Sequence, residues 1–489
     1  MSESRRRFLK EAGCGLSAAA LLASVERFGL INALAQQQPN VASDYKALVC
    51  IFLLGGNDGN NMVVPYDNYS APGGYDSVRT GPKLAIPKSA LLKITPSNTG
   101  GVSYGLHPNL SPEANNATQF KGLLDVWNQG KLAALCNVGP LVQPITRAQY
   151  LANIGHPYQL FSHSDQQTVQ QTSVANTVGQ TGWGGRISDV TGALNGVTPL
   201  PMNISVAGTA LFATGGQSRQ LSITPYASLN TALQLNMEGG SSADQNARRA
   251  AFQQLLGFDL ESVPTKGASD TTNQALVASA ALSTNPTLSV IFPNTYLGNQ
   301  LQQVARLVKV RDSIGMKRQI FFCALGGFDS HTNQTGTVPT STSSAGSGGS
   351  GGQGSLLAQL SQAMRAFYDE MGAQGMSDRV TTFTLSDFGR TLAPSGPSDA
   401  AVIGSDHAWG NHSLIMGGSV AGQTFHGTYP VLQLSGPDDA DSRGRWIPTT
   451  SVEQYGATLA AWYGVAPADI PTVFPFLYRF SPTNLGFLS

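Results

Sequence analysis

Charge is what this chain has least of. Only 12% of its 489 residues are Asp, Glu, Lys or Arg, about half the usual share. Lys+Arg and Asp+Glu balance at 29 each, for a net charge of zero. Phosphate backbones are gripped by clustered Lys and Arg, so a neutral chain without a basic block excludes nucleic acid as a partner. Cysteine is scarce as well, with four in all. Cys50, Cys136 and Cys323 each fall inside an apolar, strand-like run, which reads as buried thiols rather than a disulfide frame. There is no CxxC and no Cys/His zinc spacing. The GxSxG elbow, the P-loop and the Rossmann GxGxxG are missing from the predicted strands, which removes the commonest competing α/β chemistries. A long uninterrupted hydrophobic run is also lacking. Gly15, Glu26, Arg27 and Gly29 break the mildly apolar stretch from Cys14 to Leu34, so no stable membrane span is expected once a leader is removed.

That stretch follows Ser4, Arg5, Arg6, Arg7, Phe8, Leu9 and Lys10, and precedes the small-x-small triplet Ala33, Leu34 and Ala35. The pattern matches a twin-arginine signal peptide over residues 1–35. It implies engagement of the twin-arginine export machinery and a periplasmic or secreted mature protein. Hydrophobic residues make up 41% of the chain, enough for one large α/β domain over residues 45–489.

Four apolar runs read as buried parallel strands, because they are apolar throughout instead of alternating. They are Ala47 to Leu54, Lys131 to Gly139, Gln319 to Leu325 and Arg379 to Leu385. Helices are predicted over Ser111–Gln129, Asp244–Leu256, Gly298–Ser313, Leu356–Met371 and Ser451–Tyr463. Residues 195–300 carry no chemical cluster and read as an insertion or substrate-side region. Residues 335–355 are rich in Gly, Ser and Thr, the composition of a flexible loop.

Several strands run out into glycines followed by carboxylate, imidazole or hydroxyl side chains. The first delivers Gly55, Gly56, Asn57 and Asp58; the third delivers Gly326, Gly327, Phe328, Asp329, Ser330 and His331; the fourth delivers Asp387 and Arg390. Near the end, Asp406, His407 and His412 fall within seven residues of a chain that has only seven histidines. An open α/β sheet gathers such strand ends into one crevice. Mixed carboxylate and imidazole ligands suit Zn, Mn or Fe, so Asp58, Asp329, His331, Asp387, His407 and His412 are the candidate metal ligands. Asp406 would orient them. One or two divalent ions, Zn or Mn foremost, are expected per chain.

Ser162 reads two ways. It starts a helix as a cap with Asp165 three positions on, and it places a hydroxyl where a helix dipole favours an anionic oxygen. Arg390 either clamps an anionic ester group or serves as an ordinary structural arginine.

These motifs resemble a bacterial family, domain of unknown function 1501. The residues that carry the resemblance are the twin-arginine leader, Phe52 to Pro65 (FLLGGNDGNNMVVP), Ser162-His163, Gly182 to Arg186 (GWGGR) and Gly326 to His331 (GGFDSH). Ser386 to Thr391 (SDFGRT), Asp406 to His412 (DHAWGNH) and Met416 to Gly418 complete the set. The family is similar to the alkaline-phosphatase and sulfatase superfamily. That implies a three-layer α/β/α sandwich with a mostly parallel central sheet, and a metal site with Ser162 at the nucleophile's place. By the same resemblance, Asp329 and His331 pair on one metal with His407 or His412, and Asp58 and Asp387 serve as further ligands. Position 388 departs from the pattern, with Phe where the superfamily often has His, and Asp387 stands where the family usually has Glu. The missing imidazole leaves a one-metal or altered site open.

The expected function is an exported metal-dependent hydrolase of phosphate or sulfate esters, acting on a small or polymeric anionic ester. The alternative is a non-catalytic cell-envelope or binding protein that retains the phosphatase-like fold.

Overall fold

A computed structural model describes residues 41–489 apart from 82, 116–118, 232–240, 336–351 and 397–402. The expected leader, residues 1–35, and most of the expected loop at 335–355 lie outside the described residues. Among the described residues, no helix is long and apolar enough to cross a membrane.

The central sheet contains β1 (Lys46–Leu53), β2 (Leu132–Gly139), β3 (Asn203–Ser205), β4 (Gln220–Ser222), β5 (Arg318–Leu325), β6 (Val380–Ser386), β7 (Asn411–Met416), β8 (Phe425–Gly427) and β9 (Thr450–Ser451). Their spatial order is β8-β2-β7-β6-β1-β5-β3-β4, with β9 pairing the free end of β2. All run parallel except β7, which is antiparallel to both β2 and β6. β1 lies at the centre, paired in parallel with β5 on one side and β6 on the other.

Side chains of a strand alternate between the two faces of the sheet, and β1 uses both. Ala47, Val49, Ile51 and Leu53 join one core, whereas Leu48, Cys50 and Phe52 join the other. Six of these seven side chains are 0% exposed and Leu53 is 1%. Each of the larger ones contributes about 1.5–3 kcal/mol by burial. The first core is closed by the helices at Tyr296–Lys309 and Gly352–Ala373, the second by those at Trp183–Thr191 and Val452–Tyr463. The result is the expected α/β/α sandwich with a mostly parallel sheet. Cys50, Cys136 and Cys323 are buried free thiols, as their apolar setting predicts.

The long helix expected over Ser111–Gln129 is replaced by short helices at Pro112–Asn115 and Leu124–Asn128. The chain folds back on itself there. The Leu123 amide donates to the Leu110 carbonyl at 2.7 Å, and the Leu124 amide to Ser111 Oγ at 2.7 Å. Within 195–300, β3 and β4 extend the sheet, while the helix at Ser242–Leu256 has no buried residue. That helix is capped by Ser241, with Asp244 as its capping-box partner, so it begins two residues before the expected Asp244. The helix expected from Leu356 already begins at Gly352. β7 begins at Asn411, and this puts His412 inside a strand instead of in the loop before it.

Candidate metal centre

β5, β1 and β6 lie side by side, and their registers bring Leu325, Leu53 and Ser386 level with one another. The three carboxyl ends therefore open at one place, as parallel pairing requires. The turn after β1 is tight. Gly55 and Gly56 have φ of 108° and 84°, values that favour glycine. A Cβ on Gly55 would stand 2.3 Å from the Asp329 amide nitrogen, and one on Gly56 would stand 2.6 Å from the Phe388 ring. Closely packed backbones thus set Asp329 and Phe388 relative to each other.

Asp329, after β5, is ringed by three imidazoles. His331 Nε2 lies 3.4 Å from Asp329 Oδ1, His163 Nε2 at 3.5 Å and His407 Nε2 at 3.9 Å. His331 Nε2 and His407 Nε2 are 2.9 Å apart. Ligand atoms of His163, Asp329 and His407 all lie within 4.8 Å of one another. Bonds of about 2.0–2.1 Å to a tetrahedral zinc would place ligand atoms about 3.3 Å apart, so the observed spacing fits an ion after small side-chain adjustments.

The far nitrogen of each ring is already engaged. His163 Nδ1 donates to Asp387 Oδ2 at 2.7 Å, His331 Nδ1 to Asp406 Oδ1 at 3.0 Å and His407 Nδ1 to the Phe161 carbonyl at 2.7 Å. Carboxylates and carbonyls only accept, so all three Nδ1 atoms carry hydrogen and the Nε2 atoms face the centre. Oriented imidazoles with carboxylate or carbonyl partners behind them are the usual support of a metal site. His163 Nε2 is buried with no hydrogen-bond partner, an orphaned acceptor of the kind an ion would satisfy.

Burial, opposed by the Phe161 hydrogen bond and assisted by the charges of His163, Arg390 and His331, pushes His407 down to about 4. It is neutral, as a ligand must be. Burial would raise the Asp329 carboxyl, but the Arg390 hydrogen bond and charge, with His163 and His331, hold it below its ordinary value.

His163 is missing from the sequence-derived ligands. It heads the helix His163–Thr172, and its only signal in the sequence is its place next to Ser162 at the helix start. Phe388 packs on it at 4.8 Å and on His407 at 4.6 Å between ring centroids. Position 388, expected to differ from the superfamily's imidazole, is an apolar wall against both rings.

Other expected ligands are placed differently. The Asp387 carboxylate is fully buried. Its Oδ1 accepts from the Gly55 amide, and its Oδ2 from His163 and Gln167, so it stands behind His163 and does not itself face the cluster. Asp58 is 1% exposed and paired with Arg79 Nη1 at 2.6 Å. It also accepts from the Asn60 amide and from Gln334 Nε2, which leaves it no part in the cluster. His412 accepts from the Asn137 amide through Nδ1 at 3.2 Å and stacks on Tyr429 at 4.9 Å. Burial pushes it down to about 3, and it belongs to the interior.

Arg390 does not reach out to an anion. It is fully buried, and its guanidinium donates to the carbonyls of Gly56, Ser405 and Gly55 and to Asp329 Oδ1 at 2.6 Å. Its role is to fix Asp329. Ser162 takes the N-cap position but makes no capping bond to the backbone. Its hydroxyl donates to Asp165 Oδ2 at 2.6 Å.

A family model described as "Protein of unknown function (DUF1501)" matches residues 45–439. No curated protein matches the sequence. Among solved structures, the chain is similar to Ps i-CgsB in complex with k-i-k-neocarrahexaose (9% identity, TM-score 0.34, covering 90% of this chain and 78% of that one). It is also similar to the PsFucS1 sulfatase from Pseudoalteromonas sp. (10%, TM-score 0.32, 91% and 71%). A mutant of the alkaline phosphatase PafA is similar at 10% identity and TM-score 0.27, over 72% of this chain and 64% of that one.

Proposed function

The chain belongs to the DUF1501 family, and we propose that it is an exported, metal-dependent hydrolase of phosphate or sulfate esters with an alkaline-phosphatase-like site. One divalent ion, Zn or Mn, would be held by His163, His331, His407 and Asp329. The observation that carries this reading is the shared orientation of the three imidazoles, each with Nδ1 bound to an acceptor and Nε2 facing Asp329. Three nitrogens and one oxygen are a donor set suited to those ions. Bound there, the ion supplies Lewis-acid polarisation of an ester oxygen.

The chain's own residues do the rest. Ser162 would attack the phosphorus or sulfur atom as its hydroxyl proton passes to Asp165. The P–O or S–O bond to the substrate's alcohol breaks and the alcohol leaves with a proton. Water then hydrolyses the seryl ester to release phosphate or sulfate and restore the serine. The dipole of the helix it heads favours negative charge on its oxygen. Asp387 and Asp406 hold His163 and His331 in the ligating tautomer, and Phe388 keeps the ligand rings in an apolar setting.

A second reading, a binding protein of the cell envelope that keeps the fold without turnover, is favoured by Arg390. Its donors are spent inside the protein, so the anion clamp expected of it is lacking. Elemental analysis of protein purified without chelators tests the metal. About one Zn or Mn per chain is expected for the wild type, and none for His163→Ala; a metal-free wild type would end the metal reading. Turnover of aryl phosphate and aryl sulfate esters by the loaded protein then separates enzyme from binding protein.

A further inference from the structure

The backbone at Phe161 is strained, and the strain has a visible use. Its φ is 77°, and Gln159 two residues earlier has φ 44°. Side-chain-bearing residues avoid this region at a cost of about 1–3 kcal/mol and hold it only where surrounding contacts enforce it. The conformation accompanies a carbonyl aimed at His407 Nδ1. Arg445 touches both partners of that hydrogen bond. Its guanidinium lies 4.6 Å from the centroid of the Phe161 ring, and its Nε donates to the His407 carbonyl at 2.8 Å. The other side of Phe161 packs on the cluster of Leu141, Trp409, Ala440 and Ile447.

Arg445 is itself held in place. Its Nη1 pairs with Asp441 Oδ2 at 2.5 Å. Its amide, with those of Ser435, Asp441 and Gly444, donates to the fully buried carboxylate of Asp439. From the same loop, Arg443 pairs with Asp406 Oδ2 at 2.8 Å, while Asp406 Oδ1 accepts the hydrogen bond from His331 Nδ1. Two arginines of one loop thus stand behind two different imidazoles. Residues 441–445 lie beyond the 45–439 stretch matched by the family model.

We infer that the loop from Asp439 to Arg445 is the positioning device of the metal centre, with Arg445 fixing His407 through Phe161, and Arg443 fixing His331 through Asp406. Neither arginine touches the ion; both act by keeping Nδ1 protonated and Nε2 aimed inward. Such supporting partners typically change metal affinity about 10–100-fold when removed. The consequence for affinity rests on the metal reading above, but the effect on the rings does not.

The test uses the full chain with ¹⁵N-labelled histidine. In metal-free wild type, the side-chain nitrogen spectrum should show His407 and His331 as Nδ1–H tautomers. Arg445→Met should turn His407 into a tautomer mixture and leave His331 alone, and Arg443→Met should do the reverse. By chelator competition, each should weaken Zn²⁺ binding about 10–100-fold in protein that remains folded without metal. If Arg445→Met does not fold, Arg445→Lys, which keeps a cation over Phe161 but loses the Nε donor to His407, should show the same tautomer change in weaker form. Folded variants with unchanged tautomers and unchanged Zn²⁺ affinity overturn the inference. A wild type that binds no Zn²⁺ while the tautomers still respond would sink the metal reading and leave the positioning inference standing.

Discussion

Two polar clusters sit at the same edge of the sheet and are built from the same residue types. One, around Asp58, is closed. Arg79 is fully buried and donates to Asp58, to Asn61 and to the carbonyls of Leu392 and Thr391, while Gln334 and the Asn60 amide complete the carboxylate. The other, around Asp329, is open. Its carboxylate is 51% exposed and accepts from Arg390 at 2.6 Å, and three imidazoles turn their Nε2 atoms toward it. The difference shows that strand position and residue type do not make a ligand. What decides is whether neighbouring donors have already filled the carboxylate's acceptor sites. Both carboxylates meet an arginine, but one sealed on every side serves folding, whereas one that stays half exposed with imidazole nitrogens around it is accessible to an ion.

The sharpest break of that comparison is Arg79→Ala. It strands the Asp58 carboxylate in the interior, and removing one partner of a buried pair costs about 3–5 kcal/mol. Denaturant unfolding should show that loss, with metal content per folded chain unchanged. A loss of bound metal instead would return Asp58 to the ligand set. Asp387→Asn probes the boundary between the clusters, because Asp387 is as buried as Asp58 yet serves the open site through His163. Metal affinity should fall about 10–100-fold, and an unchanged affinity would mean that His163 is oriented without it.

His412 gives the closed side its pH dependence. Burial lowers it from 6.5 to about 3, so between those values the unfolded chain binds a proton that the folded chain refuses. Its stability contribution is therefore complete above pH 6.5 and lost as pH falls toward 3. Between pH 7 and pH 5 the loss should be about 2 kcal/mol. His107, which burial lowers likewise to about 3, adds a similar amount. Stability curves at the two pH values for wild type and His412→Asn should differ in slope, and parallel curves would contradict the burial argument.

The open cluster was more legible in the sequence than the closed one. Glycines at strand ends point to Asp329 and His331, and the structure brings both beside His407, because parallel pairing of β1, β5 and β6 leaves their carboxyl ends no choice but to adjoin. Asp58 obeyed the same rule and was misread, since its partner Arg79 comes from a segment with no motif and the pairing is visible only in three dimensions. Asp387 was misread by one step. Its position is right, but the imidazole it serves comes from a helix 224 residues away in the chain. His412 was assigned from spacing in a supposed loop, and β7 begins one residue before it. Central strands were legible to within a residue or so because burial on both faces leaves an unbroken apolar run. The helix at Ser111–Gln129 was not, since nothing local announces the return of Leu123 to Leu110.

The smallest expected effect on folding falls at the residue with the largest expected effect on chemistry. Replacing an N-cap serine by alanine usually costs about 1 kcal/mol, because the hydroxyl satisfies a backbone amide. Ser162 satisfies none; its hydroxyl is turned to Asp165. Ser162→Ala should therefore change unfolding free energy by no more than about 0.5 kcal/mol and leave metal content intact. It should abolish turnover of aryl phosphate or sulfate esters by the metal-loaded protein. Undiminished turnover would remove Ser162 as the nucleophile, and a stability loss near 1 kcal/mol would show that it caps the helix in solution. Set beside Arg79→Ala, the pair tests the division directly: a buried ion pair whose loss harms only the fold, against a half-buried hydroxyl whose loss harms only the reaction.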